Sequence, residues 1–501
     1  MLKRLASVVF AALSIGVFGS TALAQCGSWG NLTPGFQMDG AAMAMTVHNN
    51  QLVVGGMFTY AGPTPSHRVT SWDGSAWHTL GVGMTDNVYA LAVYRGDLIA
   101  GGYFTHAGNV LCNRIARWDG SAWNAMGTGM NAEVRALAVY RDELYATGLF
   151  TNAGGTPAAY IARWNGTSWS AVGTGLNDYG MALAVYADEL YVGGYLTSAG
   201  GTNAQHVARW NTSTWRAAGN GVNSPINSMG VWGGSLFVGG WITASGTVTL
   251  HNIGAWNGLA WSSPGSGVND GVFAFTEFNG ELVAGGWFTA AGSVPASRVA
   301  IWNGTGWRAV APLTTVTGTS VQSLCSYANV LYAGGNIIDY NSDMNYIVRW
   351  NSGLPTITGN PSDLLACSGQ PASFSVSASG SGLSYQWRHD SVPISTEANP
   401  SAATPVLSIS ATKGPDRGSY DCVVTGACGG VTSNAATLTV NSADFNNDGD
   451  SGTDADIEAF FACLAGNCCA ACGTADFNAN GDTGTDADID SFFRVLAGGA
   501  C

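Results

Sequence analysis

The sequence predicts a mainly β fold: a seven-bladed β-propeller, then a second β module, then a small α-helical end. Three observations carry this. Trp72, Trp118, Trp164, Trp210, Trp256 and Trp302 recur every 46 residues, and each is answered five positions later by Trp77, Trp123, Trp169, Trp215, Trp261 and Trp307. A glycine pair precedes each unit's tryptophans, as at Gly55-Gly56 and Gly101-Gly102, with Thr147-Gly148 as the one variant. Finally, the period stops near residue 354, and the last 60 residues repeat a different, acidic pattern at a spacing of 32.

Within one unit, residues 88–94, 98–105, 113–118 and 123–126 are short β-forming runs separated by turn residues. Four short strands per unit of 40 to 50 residues are the signature of a propeller blade. The seventh unit, ending at Trp350-Asn351, lacks its second tryptophan, and the segment around Trp29 supplies a matching strand with no blade before it. The N-terminal strand is therefore expected to complete the last blade and protect two open edges. Arg95-Gly96-Asp97 reads as a hairpin turn, because other units place Arg141-Asp142-Glu143 and Ala187-Asp188-Glu189 there. The repeated tryptophans read as packing, since every unit must pack. The seventh unit departs most, with Asp339, Tyr340, Asp343 and Asn345 where its sisters carry small residues. These repeats resemble kelch-like propellers, and in particular the "GG-x-FT … W-[DN]-G-x-x-W" units of cortical polarity markers and exported bacterial proteins. The resemblance implies a fold and says little about activity.

Composition sets limits on function. The 501 residues include 18 Lys+Arg against 32 Asp+Glu, a formal charge of −14, and Lys3 and Lys413 are the sole lysines. Phosphate binding rests on clustered cations, so nucleic acid is not an expected partner. Lys3 and Arg4 precede an apolar run at residues 5–18 and the small residues up to Ala24, the layout of a cleaved signal peptide over residues 1–24. That places the mature protein outside the cytoplasm, secreted or on the cell surface, where its 11 cysteines can oxidise. No transmembrane segment is expected.

The propeller is assigned to residues 25–354 and the second module to 355–441. In the latter, Tyr385-Gln386-Trp387 and Asp416-Arg417-Gly418-Ser419-Tyr420-Asp421-Cys422 resemble strands C and F of the immunoglobulin-like fold. It departs from that family at strand B, where Val376 stands in place of cysteine. A Cys367–Cys428 bridge is the alternative, leaving Cys422 as a buried thiol against Trp387.

Residues 442–501 carry Asp444-Phe445-Asn446-Asn447-Asp448-Gly449-Asp450 and, 32 residues on, Asp476-Phe477-Asn478-Ala479-Asn480-Gly481-Asp482. Each precedes a helix with apolar residues at i, i+3, i+4 and i+7: Ile457, Phe460, Phe461 and Leu464, then Ile489, Phe492, Phe493 and Leu496. Side-chain oxygens at loop positions 1, 3 and 5 with glycine at 6 suit Ca²⁺. The pattern resembles the Cys-rich dockerin-like module, with acids at positions 11 and 13 instead of 12. Two calcium sites are expected: Asp444, Asn446, Asp448, Asp450 and Asp456 in one, and Asp476, Asn478, Asn480, Asp482 and Asp488 in a second, weaker one.

The expected function is non-catalytic: an exported interaction or adhesion protein whose propeller binds a glycan or protein, tethered by its calcium module to a cohesin-like or cell-envelope partner. The alternative is a secreted polysaccharide-active enzyme or lectin-like glycan binder carried by a dockerin. No Ser-His-Asp order, acid pair or phosphate loop marks a catalytic residue.

Overall fold

A computed structural model describes residues 27–32, 38–310, 312–313, 319–339, 344–351, 353–380, 382–426, 428–441, 444–446, 448, 450, 452–468, 476–477 and 482–497. The expected signal peptide lies outside them, as do Tyr340, Asp343, Asn478 and Asn480. The chain divides into two compact units, residues 1–351 and 352–501.

The first unit is built from seven four-stranded antiparallel sheets. In the second of them, Val88–Tyr94, Asp97–Gly102, Ile115–Trp118 and Trp123–Ala125 pair in chain order. The first strands of the sheets pack against one another in sequence, from Ala42–His48 through to Ser320–Tyr327, and the last also packs against the first. Ser28–Gly30 pairs with Asn351, Trp350 and Arg349 at the edge of the seventh sheet.

The plain kelch-like seven-bladed β-propeller, with four strands per unit, is corrected by this arrangement. Six units hold paired antiparallel sheets, a four-stranded one and a separate two-stranded ribbon such as His106–Ala107 with Val110–Leu111. The ribbon forms because the chain turns back at Gly108, which takes φ +57, while Thr105 O accepts the amides of Cys112 and Asn113. Two-residue strands are too short to leave a periodic signal in sequence.

Paired tryptophans serve packing and stitching. Trp118 and Trp123 lie 5.3 Å apart at a tilt of 54°. In five units the second tryptophan donates its indole N–H to a carbonyl of the preceding unit: Trp123 to Leu80 O at 2.8 Å, Trp169 to Met126 O at 2.9 Å, Trp215 to Val172 O at 3.0 Å, and likewise Trp261 and Trp307. Buried indoles need such partners. The Asp or Asn after the first tryptophan closes the next turn: Asp119 Oδ1 accepts Ser121 N, Ser121 Oγ and Ala122 N at 2.8 to 2.9 Å. Arg95-Gly96-Asp97 is a hairpin whose charges are internal, Arg95 pairing with Asp142 and Asp97 with Arg117.

In the second unit, a sandwich packs Phe374, Val376, Trp387, Leu407, Tyr420 and Cys422 into one core. Ser384–His389 pairs with Gly418–Gly426 so that Trp387 faces Cys422, and Leu364–Cys367 runs parallel to Ala436–Asn441. Tyr420 donates its hydroxyl to Asp416 O at 2.8 Å, the corner typical of this sandwich. The expected Cys367–Cys428 bridge is corrected. Cys428 is a free thiol. Cys367 aligns with Asn441, beyond the Leu438↔Gly418 pair, whereas Cys428 lies past Gly426. The two cysteines thus sit at opposite ends of a nine-residue strand, which spans roughly 25 Å, and a disulfide needs Cα atoms within about 7 Å. Cys422 is a buried thiol whose pKa burial pushes up to about 11.

Helices α1 (Asp454–Leu464) and α2 (Asp486–Leu496) follow. Phe445, Phe460, Phe477 and Phe492 are fully buried against one another, Phe460 and Phe492 stacked at 3.9 Å. Cys463 and Cys468 form a disulfide at the end of α1.

Candidate functional site

The loop before α1 brings three acids together. Carboxylate oxygens of Asp444, Asp448 and Asp456 lie within 4.8 Å of one another. Asp456 is wholly buried, and each of its oxygens already has two donors. Oδ1 accepts Phe445 N at 2.7 Å and Asn446 N at 3.2 Å. Oδ2 accepts Thr453 N at 2.9 Å and Thr453 Oγ1 at 3.0 Å, closing a capping box at the start of α1. That bonding fixes the carboxylate's position relative to the loop.

The loop bonds internally as well. Asp448 N donates to Asp444 Oδ1 at 3.1 Å and to Asn446 Oδ1 at 3.0 Å, while Asn446 Nδ2 donates to Asp448 Oδ2 at 2.9 Å. Asp450 is exposed, with its amide on Asp448 Oδ1 at 3.0 Å, and its carboxylate is not among the three that converge. Asp454 is exposed on the first turn of α1. Of the acids at positions 11 and 13, the structure therefore turns the latter inward.

The donor set fits a hard divalent cation. Oxygens that share a Ca²⁺ at 2.3–2.6 Å lie at most about 5 Å apart, which the three carboxylates satisfy, and Asn446 Oδ1 adds a neutral oxygen. The second loop repeats the scaffold: buried Asp488 accepts Phe477 N at 2.9 Å, Thr485 N at 2.9 Å and Thr485 Oγ1 at 2.8 Å. Asp476 and Asp482 are described beside it, whereas Asn478 and Asn480 are not.

A second concavity was not anticipated from sequence. A cavity of about 470 Å³ opens in the first unit, and the first strand of every sheet contributes to its lining, with Met43, Tyr89, Arg135, Met181, Asn227, Phe273 and Gln322 at equivalent positions. In each strand this residue is the bulge, where the pairing register slips, as between Val134 and Ala136. A bulge releases its residue from the ladder and re-aims the side chain. The signal was present as variation: this one position reads Met, Tyr, Arg, Met, Asn, Phe, Gln in strands that otherwise repeat. The inter-unit loops hold the neighbouring ribbons in place. Asn131 Oδ1, for example, accepts Thr151 N and Asn152 N, each at 2.9 Å, to hold the next ribbon.

Comparison with known proteins finds a family model that matches part of the chain. Residues 355–440 match the immunoglobulin I-set domain model. Similar solved structures are immunoglobulin domains too. The titin Z1Z2 domains in complex with telethonin align at 29% identity over 17% of this chain and 47% of theirs, with a TM-score of 0.16. Titin M4 aligns at 25% identity over 17% and 94%, and the first domain of Duf (Kirre) at 21% over 17% and 95%, each with a TM-score of 0.16. The chain thus spans about half the length of the first of these. No curated protein matches the sequence.

The resemblance to kelch-like and cortical-marker propellers is corrected on this ground as well, because the family that matches is immunoglobulin-like. The fold class is stated accordingly: mainly β, with many paired antiparallel sheets, an I-set immunoglobulin-like domain and two small helices.

Proposed function

We propose that the chain is an exported, non-catalytic interaction protein whose C-terminal module binds Ca²⁺ and, so ordered, tethers it to a partner in the manner of a dockerin. The observation that carries this reading is the convergence of Asp444, Asp448 and Asp456 on one point before α1. From residue 443 onward, eleven acids oppose the single cation Arg494, and a bound divalent ion would offset that repulsion. The second loop would form a weaker site, since Asn480 replaces an acid there. Phe461 and Phe493 are each 43% exposed and lie 6.3 Å apart, an apolar pair on which a cohesin-like or cell-envelope protein could close. The immunoglobulin-like domain supports an interaction or adhesion role. Among the described residues no helix is long and apolar enough to cross a membrane, so attachment through a protein partner fits.

Isothermal titration of the full-length protein with CaCl₂ tests the reading. Saturable binding that Asp448→Ala weakens at least tenfold is expected, together with Ca²⁺-dependent retention on cell-envelope extract. Absence of any binding heat, or an Asp448→Ala variant that titrates like the parent, would overturn it.

A further inference from the structure

The cavity at the seven bulges carries polar atoms with nothing to bond. Arg135 Nε, Asn227 Nδ2 and Gln322 Oε1 are each buried without a hydrogen-bond partner, and all three belong to residues that line it. Orphaned buried polar atoms are rare because each carries a desolvation cost. The residues that carry them line one cavity of about 470 Å³, a volume typical of small-molecule sites, and give it a polar floor of guanidinium and amide groups.

The rest of the wall narrows the chemistry. Arg135 is paired to Glu133 at 2.6 Å and its guanidinium lies over the Tyr89 ring at 4.3 Å, so its charge is already matched. An anion would find no free cation there. The floor offers donors and an acceptor together, as a hydroxylated ligand requires and an apolar one cannot use. At the side, Trp241, Phe273 and Trp287 form a triangle with centroids 5.3 to 5.6 Å apart. Trp241 and Trp287 are 45% and 41% exposed, far more than the paired tryptophans of the repeat. Trp241 Nε1 donates to Asp270 Oδ1 at 2.9 Å, which fixes the indole and leaves its face available. A rigid aromatic face beside a floor of mixed donors and acceptors matches a pyranose ring, apolar on its C–H face and hydroxylated around its rim.

We propose that this cavity is a binding site for a neutral carbohydrate, one or two pyranose units at the end of a glycan. Trp241 and Trp287 stack the ring, and Arg135, Asn227 and Gln322 bond its hydroxyls. The inference goes beyond the calcium tether and stands without it.

The test uses the full-length protein in EDTA, so that failure of the calcium reading cannot mask the result. Tryptophan fluorescence is titrated with cellobiose, maltose, mannobiose, xylobiose and chitobiose, alongside a sulfated disaccharide. At least one neutral disaccharide is expected to give a saturable change. Trp241→Ala is expected to weaken it tenfold or more, and Asn227→Ala severalfold, while Leu259→Ala, at an exposed tip, leaves it unchanged. Asn227→Ala guards against misfolding of the tryptophan variant, with melting curves run for each. A silent response to all five neutral sugars, binding of the sulfated sugar alone, or parental affinity in a folded Asn227→Ala variant would overturn the proposal.

Discussion

Thr147 and Gly180 show how the repeat tolerates change. In most units the first glycine of the pair faces a branched residue of the next sheet; a Cβ on Gly101 would come within 2.6 Å of Val134 Cγ1. In the third unit the sizes are exchanged, and a Cβ on Gly180 would lie 2.2 Å from Thr147 Oγ1, which donates to Tyr160 O at 2.7 Å. Gly180→Val alone should therefore destabilise the first unit by about 2 kcal/mol through overpacking. Adding Thr147→Gly should recover much of the loss, since it recreates the other interfaces. A urea-denaturation cycle checks this, with a coupling of about 1 kcal/mol or more expected. Thr212 makes a complementary case. It takes φ +81 at an exposed turn where five other units place glycine, a conformation costing a non-glycine residue about 1–2 kcal/mol. Thr212→Gly should raise the unfolding midpoint of the first unit, read by differential scanning calorimetry.

At the scale of elements, the acidic loop and its helix separate two uses of aspartate. Asp456 is buried and bonded to the loop and to the N-terminus of α1, whereas Asp448 is exposed. Asp456→Ala should destabilise α1 by about 2 kcal/mol in EDTA as well as in Ca²⁺, because it leaves buried amides unpaired. Asp448→Ala should leave the EDTA melt of the module unchanged and remove only the shift that Ca²⁺ adds. Circular dichroism at 222 nm in the two buffers distinguishes them. Spacing revealed the helices because Phe460 and Phe492 recur at helical intervals, and it revealed the loops because oxygen-bearing residues alternate with glycine at a fixed place. It treated Phe461 and Phe493 as equivalent to their neighbours, yet these two remain exposed. The bulge residues were hidden for a related reason. A two-residue alternation loses its phase where one residue is inserted, so the bulge residues do not stand out as one face of a strand. The Cys367–Cys428 pairing failed because proximity to a motif says nothing about which end of a strand a residue occupies.

At the scale of the whole chain, each compact unit encloses a thiol that burial holds protonated, Cys325 in the first and Cys422 in the second, both pushed up to about 11 from 9.0. Below pH 9 both thiols are neutral folded or unfolded, so they confer no pH dependence. As pH rises from about 9 to about 11, the unfolded chain loses these protons while the folded chain keeps them, and stability falls across that window. Denaturation midpoints measured from pH 8 to pH 11 should decline, and Cys422→Ser should flatten the decline of the second unit. Native protein at pH 8 should leave both thiols unmodified by iodoacetamide until denaturant is added.

The seven bulges also bear on how such a chain could diversify. At each of them one side chain is excused from strand pairing, so its identity is set neither by the ladder nor by the tryptophan packing. Seven codons can then vary together while the scaffold's folding instructions stay constant, which is the separation of variable and invariant positions that a combinatorial library requires. Randomising these positions alone would yield binders of altered preference on one unchanged framework.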